Sequence, residues 1–265
     1  IMNICIIGDG LTSLSLAKNL INKKINVHIY QKKLTNNLLS NRTIGISKNN
    51  LNFFKKEIFE LPDKIIWEIK KIEIYSEKLK NDKILNFGNN NNNLFYMVKN
   101  DNLYESLNKK LLKSKFFKKT TIRHKSFYGK LVNKNNYDLI INCDQNNYIS
   151  KKIFNKKIDK DYKNIAYTTI IEHEKLENES AIQVFTALGP IAFLPISKIK
   201  TSVVYSLNII EKKYLDGEII ELIKKYNPKF KIIKIKKLSS FKLKSSNLRN
   251  YYHKNILAFG DILHR

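Results

Sequence analysis

The residues whose types and spacing best suit chemistry lie near the start of the chain: Gly8-x-Gly10-x-x-Ser13, set between the apolar run N-I-C-I-I (Asn3–Ile7) and a helical pattern. A glycine at position 8 permits a tight turn, and one at position 10 lets a phosphate approach the backbone at the positive end of a helix. Ser13 stands where such turns carry a third glycine, and its small side chain still allows helix and strand to pack closely. The chain has only eight glycines in 265 residues, so two at this turn are informative. The spacing predicts a dinucleotide site, whose second strand should end on an acidic residue that holds a ribose hydroxyl. That position is Gln31, followed by Lys32 and Lys33. An amide still hydrogen-bonds a sugar, but without charge assistance.

Such a site needs a βαβ frame to position it. Asn3–Ile7 is too short for a helix and reads as a strand buried on both faces. Leu11, Leu14, Ala17, Leu20 and Ile21 mark the apolar stripe of a helix, and residues 25–30 form the next strand. Between residues 65 and 87, K-I-E-I-Y-S and K-I-L-N-F have period two and predict antiparallel strands, and the asparagine run 89–93 reads as an exposed loop. Leu103, Leu107 and Leu111 define another helix, with Asp101 as its expected N-cap, and a strand follows at 138–142. The second half is β-rich, with segments 166–172, 181–186, 191–196 and 201–208 at hairpin spacing. An amphipathic helix at 215–226 ends before Pro228, and residues 255–259 return to a buried-strand pattern.

The formal charge is +26, but only Arg42, Arg123, Arg249 and Arg265 are arginines; the remaining basic residues are lysines scattered along the chain. Drift toward Lys, Asn and Ile explains this better than a nucleic-acid interface, which concentrates Arg and Lys on one face. No nucleic-acid partner is expected, although such a surface attracts anionic lipid or substrates. Cys5 and Cys143 sit in apolar runs without metal-ligand spacing, so neither a disulfide framework nor a zinc site is expected, and the compartment reads as the reducing cytoplasm. No apolar run approaches the roughly 18 residues of a membrane span. The chain opens with Ile1 ahead of Met2 and stops at Arg265 after a strand-like run, which reads as a partial open reading frame.

Three further segments carry a family resemblance: N-R-T-I-G-I-S (41–47), D-L-I-I-N-C-D (138–144) and L-A-F-G-D-I-L-H (257–264). They occur in the order found in flavin-dependent aromatic hydroxylases. V-K-N-D-N-L-Y-E-S-L (98–107) and Q-V-F-T-A-L-G-P-I-A-F-L-P-I-S (183–197) are similar to the ubiquinone-biosynthesis branch of those FAD-dependent monooxygenases. The resemblance spans essentially the whole chain. It implies an α/β fold in which a Rossmann-like FAD-binding domain (1–72, 96–158 and 247–265) is interleaved with a sheet-rich substrate domain (73–95 and 159–246).

The resemblance also implies site residues. Gly8, Gly10 and Ser13 match the phosphate loop, Gln31 takes the ribose position, and Arg42 matches an arginine placed near the flavin and pyrophosphate. Asn100 falls where this branch often has Asn. Asp144 matches the acid of a D-G pair, with Gln145 in place of its glycine, Tyr148 of its serine and Lys151 of its arginine. Gly260 and Asp261 match a G-D pair whose acid approaches the ribityl and pyrophosphate part of FAD, and His264 matches the following histidine. Asp144 could equally end a strand and Asp261 cap a helix. The family continues into a flavin-lining segment beyond the residue matched by Arg265, so the 265-residue chain alone is expected to be inactive. No catalytic side chain is assigned, because the cofactor carries the oxygen chemistry. The implied activity is hydroxylation of a polyprenylated phenol or quinol, using O₂ and an electron donor (NAD(P)H or a reductase), with peripheral contact at the inner face of a membrane. A cofactor-free homologue acting as a binding or assembly subunit, and another FAD or NAD(P) oxidoreductase, are the alternatives.

Overall fold

Asn3–Ile7 forms strand β1 and is buried from Ile4 onward, because four successive apolar side chains need cover on both faces. The glycine turn then leads into helix α1 (Leu11–Asn22) and strand β2 (Asn26–Gln31). The structure, a computed structural model, describes residues 2–32, 42–77, 82–88, 93–124, 126–133, 136–208 and 214–264. The loop expected at 89–93 lies outside these residues except for Asn93.

Next come β3 (Thr43–Ser47), α2 (Lys48–Glu57), β4 (Ile66–Ile69), β5 (Lys71–Ser76) and β6 (Asp82–Gly88). The middle of the chain adds β7 (Phe95–Lys99), α3 (Asn100–Leu111), β8 (Phe117–Thr121), α4 (Phe127–Asn133), β9 (Leu139–Asn142) and α5 (Tyr148–Lys152). The second half begins with β10 (Lys157–His173), β11 (Ser180–Thr186), β12 (Gly189–Ser197) and β13 (Lys200–Asn208). It finishes with α6 (Asp216–Lys225), β14 (Ile232–Ile235), β15 (Ser239–Leu248), β16 (Tyr252–His253) and β17 (Ile256–Ala258).

One sheet has the order β16-β17-β9-β1-β2-β8, parallel from β17 to β8. Strands near both chain ends therefore share a layer. A second sheet runs β14-β10-β13-β12-β11-β5-β6, with β15 also paired to β10, and β3-β7-β4 form a small third sheet. The hairpin-spaced segments of the second half lie in the second sheet, apart from the glycine turn.

Helix α1 buries Leu14, Ala17 and Ile21 against Ile4, Ile6, Val27 and Ile29, together with Leu103, Leu107 and Leu111 of α3. On the opposite face Cys5, Ile7 and Ile140 pack under Tyr128, Leu131 and Ile149. In the eight-stranded sheet, Phe193, Val203, Tyr205 and Leu207 pack with Ile219 and Ile223 of α6. β10 and β15 connect these cores as an antiparallel ribbon, from Lys157 opposite Leu248 to Thr168 opposite Ser239.

The α3 boundary differs from the sequence expectation. Lys99, not Asp101, is the N-cap residue, and Asp101 lies in the first turn, where it accepts from the Asn102 N–H at 2.8 Å and pairs with Lys99. A carboxylate there still stabilises the helix end through its dipole.

His28 is expected to make the stability of the six-stranded sheet depend on pH. Its Nδ1 lies 2.8 Å from the Tyr137 hydroxyl and its Nε2 2.7 Å from Thr120 Oγ1, while Tyr30 bonds the same Tyr137 hydroxyl. Burial, then the charge of Lys118, lowers the imidazole from 6.5 to about 4. The unfolded chain therefore takes up this proton at a higher pH than the folded chain, so the stabilisation present above pH 6.5 is lost as the pH falls toward about 4. After allowance for partial solvent access, about 2 kcal/mol is expected to go. Urea titrations at pH 7.5 and 4.5 should show a larger drop for the parent than for His28→Gln; equal drops would exclude His28 as the source.

Candidate functional site

The carboxyl ends of β9, β1 and β2 lie side by side, and the expected residues other than Arg42 and Asn100 gather at this end of the sheet. Gly8 has φ +107°, and its N–H donates to the Tyr30 carbonyl at 2.9 Å, which holds the turn to β2. A β-carbon built on Gly8 would stand 3.5 Å from the Asp144 β-carbon, so Asp144 borders the turn from the end of β9. Gly10 begins α1 in ordinary extended geometry, and no side chain caps that helix. A β-carbon on Gly10 would meet nothing within 4 Å. The first N–H groups of α1 are thus without a side-chain partner beside open space, the arrangement in which a helix start receives phosphate.

Ser13 is buried and faces the Cys143 thiol, so α1 lies close to the end of β9. Burial pushes that thiol up to about 11, so it remains protonated and acts as packing. Gly260 follows β17 with φ +77°, and an added β-carbon would lie 2.7 Å from Thr12 Cγ2, so the G-D segment packs directly on the first turn of α1. Asp261 is exposed, and its carbonyl accepts from the Gln145 side chain, joining the β9 and β17 turns.

Gln31 ends β2. Its Nε2 donates to Thr121 Oγ1 at 3.4 Å, while its buried Oε1 has no partner among the described residues. Arg42 and Asn100 form a separate group at the edge of the third sheet. The Asn100 N–H donates to the Arg42 carbonyl at 3.0 Å, and the exposed guanidinium lies 4.7 Å from the Phe241 ring of β15. The buried Oδ1 of Asn100 also lacks a partner. Beside α1, a cleft of 680 Å³ is lined by Leu11, Ile44, Phe53, Phe54 and Phe259 among others, mostly apolar, and runs from the first turn of α1 to β3 and α2.

Among solved structures, the chain is similar to 2-methyl-3-hydroxypyridine-5-carboxylic acid oxygenase, with TM-score 0.72 and 12% identity over 99% of this chain and 76% of that one. It is similar to 2,6-dihydroxypyridine-3-hydroxylase from Arthrobacter nicotinovorans, with TM-score 0.73 and 12% identity over 99% of this chain and 77% of that one. PqsL, a probable FAD-dependent monooxygenase from Pseudomonas aeruginosa, matches with TM-score 0.71 and 12% identity over 100% of this chain and 79% of that one. The chain has the fold of the flavin-dependent aromatic hydroxylases. No protein-family model and no curated protein sequence matches it.

Within this flavin-hydroxylase fold the residues fit a dinucleotide cofactor. The open space at Gly10, the uncapped start of α1 and the orphaned Gln31 Oε1 each lack what a bound pyrophosphate and ribose would supply. Among the described residues, no helix is long and apolar enough to cross a membrane, and no cluster of three or more His, Cys, Asp or Glu could hold a metal.

Two contributors were missed in the sequence. Asp9, between the glycines, accepts from the Tyr104 hydroxyl at 2.9 Å and pairs with Lys119 at 3.6 Å, while Lys119 also reaches Asn108. This half-buried network fastens the turn to α3 and β8. Burial lowers the pKa of the Lys119 ammonium, against the pull of Asp9. Lys32, just past β2, makes an ion pair of 2.7 Å with Asp144 and donates to the Asn146 carbonyl at 2.9 Å. The G-D-G spelling flagged the position of Asp9, but its partners lie far along the chain; no local signal marked Lys32 as a partner of Asp144.

Proposed function

We propose that the protein is an FAD-dependent monooxygenase that hydroxylates an aromatic ring. The observation that carries this reading is the uncapped start of α1 with open space at Gly10, walled by Asp144 and by Gly260–Asp261 in the flavin-hydroxylase fold. On this reading the N–H groups of α1 hold the pyrophosphate, Gln31 Oε1 accepts from a ribose hydroxyl, and Asp261 serves the ribityl side. Ser13 and Gly260 keep the wall of the site close to α1, and the apolar cleft supplies a water-poor flank. FAD, when bound, supplies the redox and oxygen chemistry, with O₂ and an electron donor (NAD(P)H or a reductase) as co-reactants, so no side-chain nucleophile is required.

The domain division follows the same reading: 1–72, 96–158 and 247–265 bind the cofactor, and 73–95 and 159–246 form the substrate side. Arg42 and Asn100 lie beside β15 and are assigned to the junction of the two. The two segments similar to the ubiquinone-biosynthesis branch, 98–107 and 183–197, support a polyprenylated phenol or quinol as substrate, and the lysine-rich surface suits a peripheral approach to anionic lipid.

The test is an FAD titration followed by flavin fluorescence, with ADP, FMN and NADP⁺ as competitors. Saturable FAD binding displaced by ADP is expected. Reduction in air with a prenylated phenol should give no product from these 265 residues alone, and a product heavier by one oxygen once the flavin-lining segment that the resemblance implies is joined to them. Preference for NADP⁺ over FAD, or no saturable binding, would remove the reading.

A further inference from the structure

Resting on the dinucleotide reading above, we infer that Lys32 is a phosphate-holding cation of this site and shifts recognition from the ribose toward the pyrophosphate. Three observations converge. First, the strand order β9-β1-β2 places Lys32 and Asp144 on opposite sides of β1. Their 2.7 Å ion pair therefore crosses the carboxyl end of β1, where Asp144 also borders Gly8. Strands lie about 4.8 Å apart, so β2 and β9 stand about 9.6 Å apart across β1, a gap that the lysine and aspartate side chains span together. Second, an ammonium has three donors. Asp144 and the Asn146 carbonyl engage two of the three, and the Lys32 side chain is 49% exposed. A phosphate oxygen at the mouth can take the third without breaking either existing bond. Third, the charges near the turn need this cation. Asp144 borders it, Asp261 follows Gly260, and a pyrophosphate adds more negative charge. Lys119, another lysine beside the turn, is turned inward to Asp9, Tyr104 and Asn108.

The sequence change at the end of β2 then has a physical meaning. An acid at position 31 would hold the ribose strongly and repel the diphosphate; Gln31 keeps an acceptor for the sugar and removes that repulsion. Lys32 places positive charge one residue further on and simultaneously neutralises Asp144. A charge-assisted contact to phosphate replaces a charge-assisted contact to sugar.

The test is calorimetric titration of the intact chain with ADP, AMP and FAD at two salt concentrations, for the parent, Lys32→Gln and Lys32→Arg. Circular dichroism and melting temperature report whether each variant is folded. Lys32→Gln is expected to weaken ADP and FAD about tenfold, to weaken AMP less, and to flatten the salt dependence of ADP binding; Lys32→Arg should retain most of the parent affinity. Parent-like ADP affinity and salt dependence in folded Lys32→Gln, with FAD still bound, would overturn the role of Lys32 alone. Failure of the parent to bind either ADP or FAD would overturn the dinucleotide reading and this inference together.

Discussion

Replacing Gly10 with valine is expected to abolish flavin retention while leaving the fold intact. Gly10 has φ −67° and ψ 172°, extended geometry open to any residue, and a β-carbon there meets no other atom within 4 Å. The folded chain without cofactor therefore has room for the side chain at no cost in strain. The same space lies in front of the first N–H groups of α1, so a valine would fill the volume through which a pyrophosphate must approach them. Losing that approach removes several charge-assisted hydrogen bonds, and FAD affinity should fall by at least about a hundredfold. Circular dichroism and melting temperature should match the parent, while the bound-flavin absorbance disappears. Equal flavin content in parent and variant would show that the cofactor lies elsewhere.

Gly189→Ala is expected to have the opposite signature, a large loss of stability from a position remote from the glycine turn. Gly189 opens β12 with φ +136°, a conformation that L side chains rarely adopt, and an added β-carbon would lie 2.1 Å from the Ser206 carbonyl oxygen of β13. The three nearest atoms are all backbone of Ser206 and Leu207, so no flexible side chain is there to yield. The neighbouring strands are also fixed, because Gly189 pairs with Thr186 and the Thr186 hydroxyl donates to the Gly189 carbonyl at 2.7 Å. Backbone strain together with the forced parting of β12 and β13 should cost about 3 kcal/mol or more. Urea unfolding followed by tryptophan fluorescence would measure it. Gly217→Ala is the matched control: Gly217 sits in α6 with open space around its α-carbon, and its replacement should stabilise slightly. Similar midpoints for Gly189→Ala and the parent would contradict this account.

Both glycines lie in segments that the sequence revealed. Gly10 was legible because strand, turn and helix follow one another within about two dozen residues, and their periodicities are local. The hairpin strands from β11 to β13 were legible for the same reason, since partners in a meander are neighbours in sequence. The first half of β10 and all of β15 were not. Residues 157–163 are exposed, and β15 alternates lysine and serine with scattered apolar residues, so neither shows a buried face. Each is held by backbone bonds to the other across a long stretch of chain. The site divides similarly. Gly8, Gly10, Ser13, Asp144, Gly260 and Asp261 end or follow recognisable strands, and the structure gathers them. Arg42 and Asn100 were recognisable only by resemblance, and their contacts with each other and with Phe241 depend on the third sheet and β15. Lys32 and Asp9 act through partners that only the folded topology brings near.

That topology also orders the events of folding. β1 and β2 are made first, yet β1 needs β9 on its other edge, and the Asn3 N–H is bonded by Asp138, 135 positions later. β17, which carries Gly260 onto Thr12, pairs with β9 only after the whole eight-stranded sheet has been synthesised. Contacts of such long range form slowly, because the chain loses loop entropy before it gains the pairing. The eight-stranded sheet, built largely from adjacent hairpins, can assemble as a unit while the open edge of β9 waits. The glycine turn is thus among the earliest parts of the molecule to be synthesised and among the last to gain its neighbours from β9 and β17, and on the proposed reading a cofactor would meet the finished site only then.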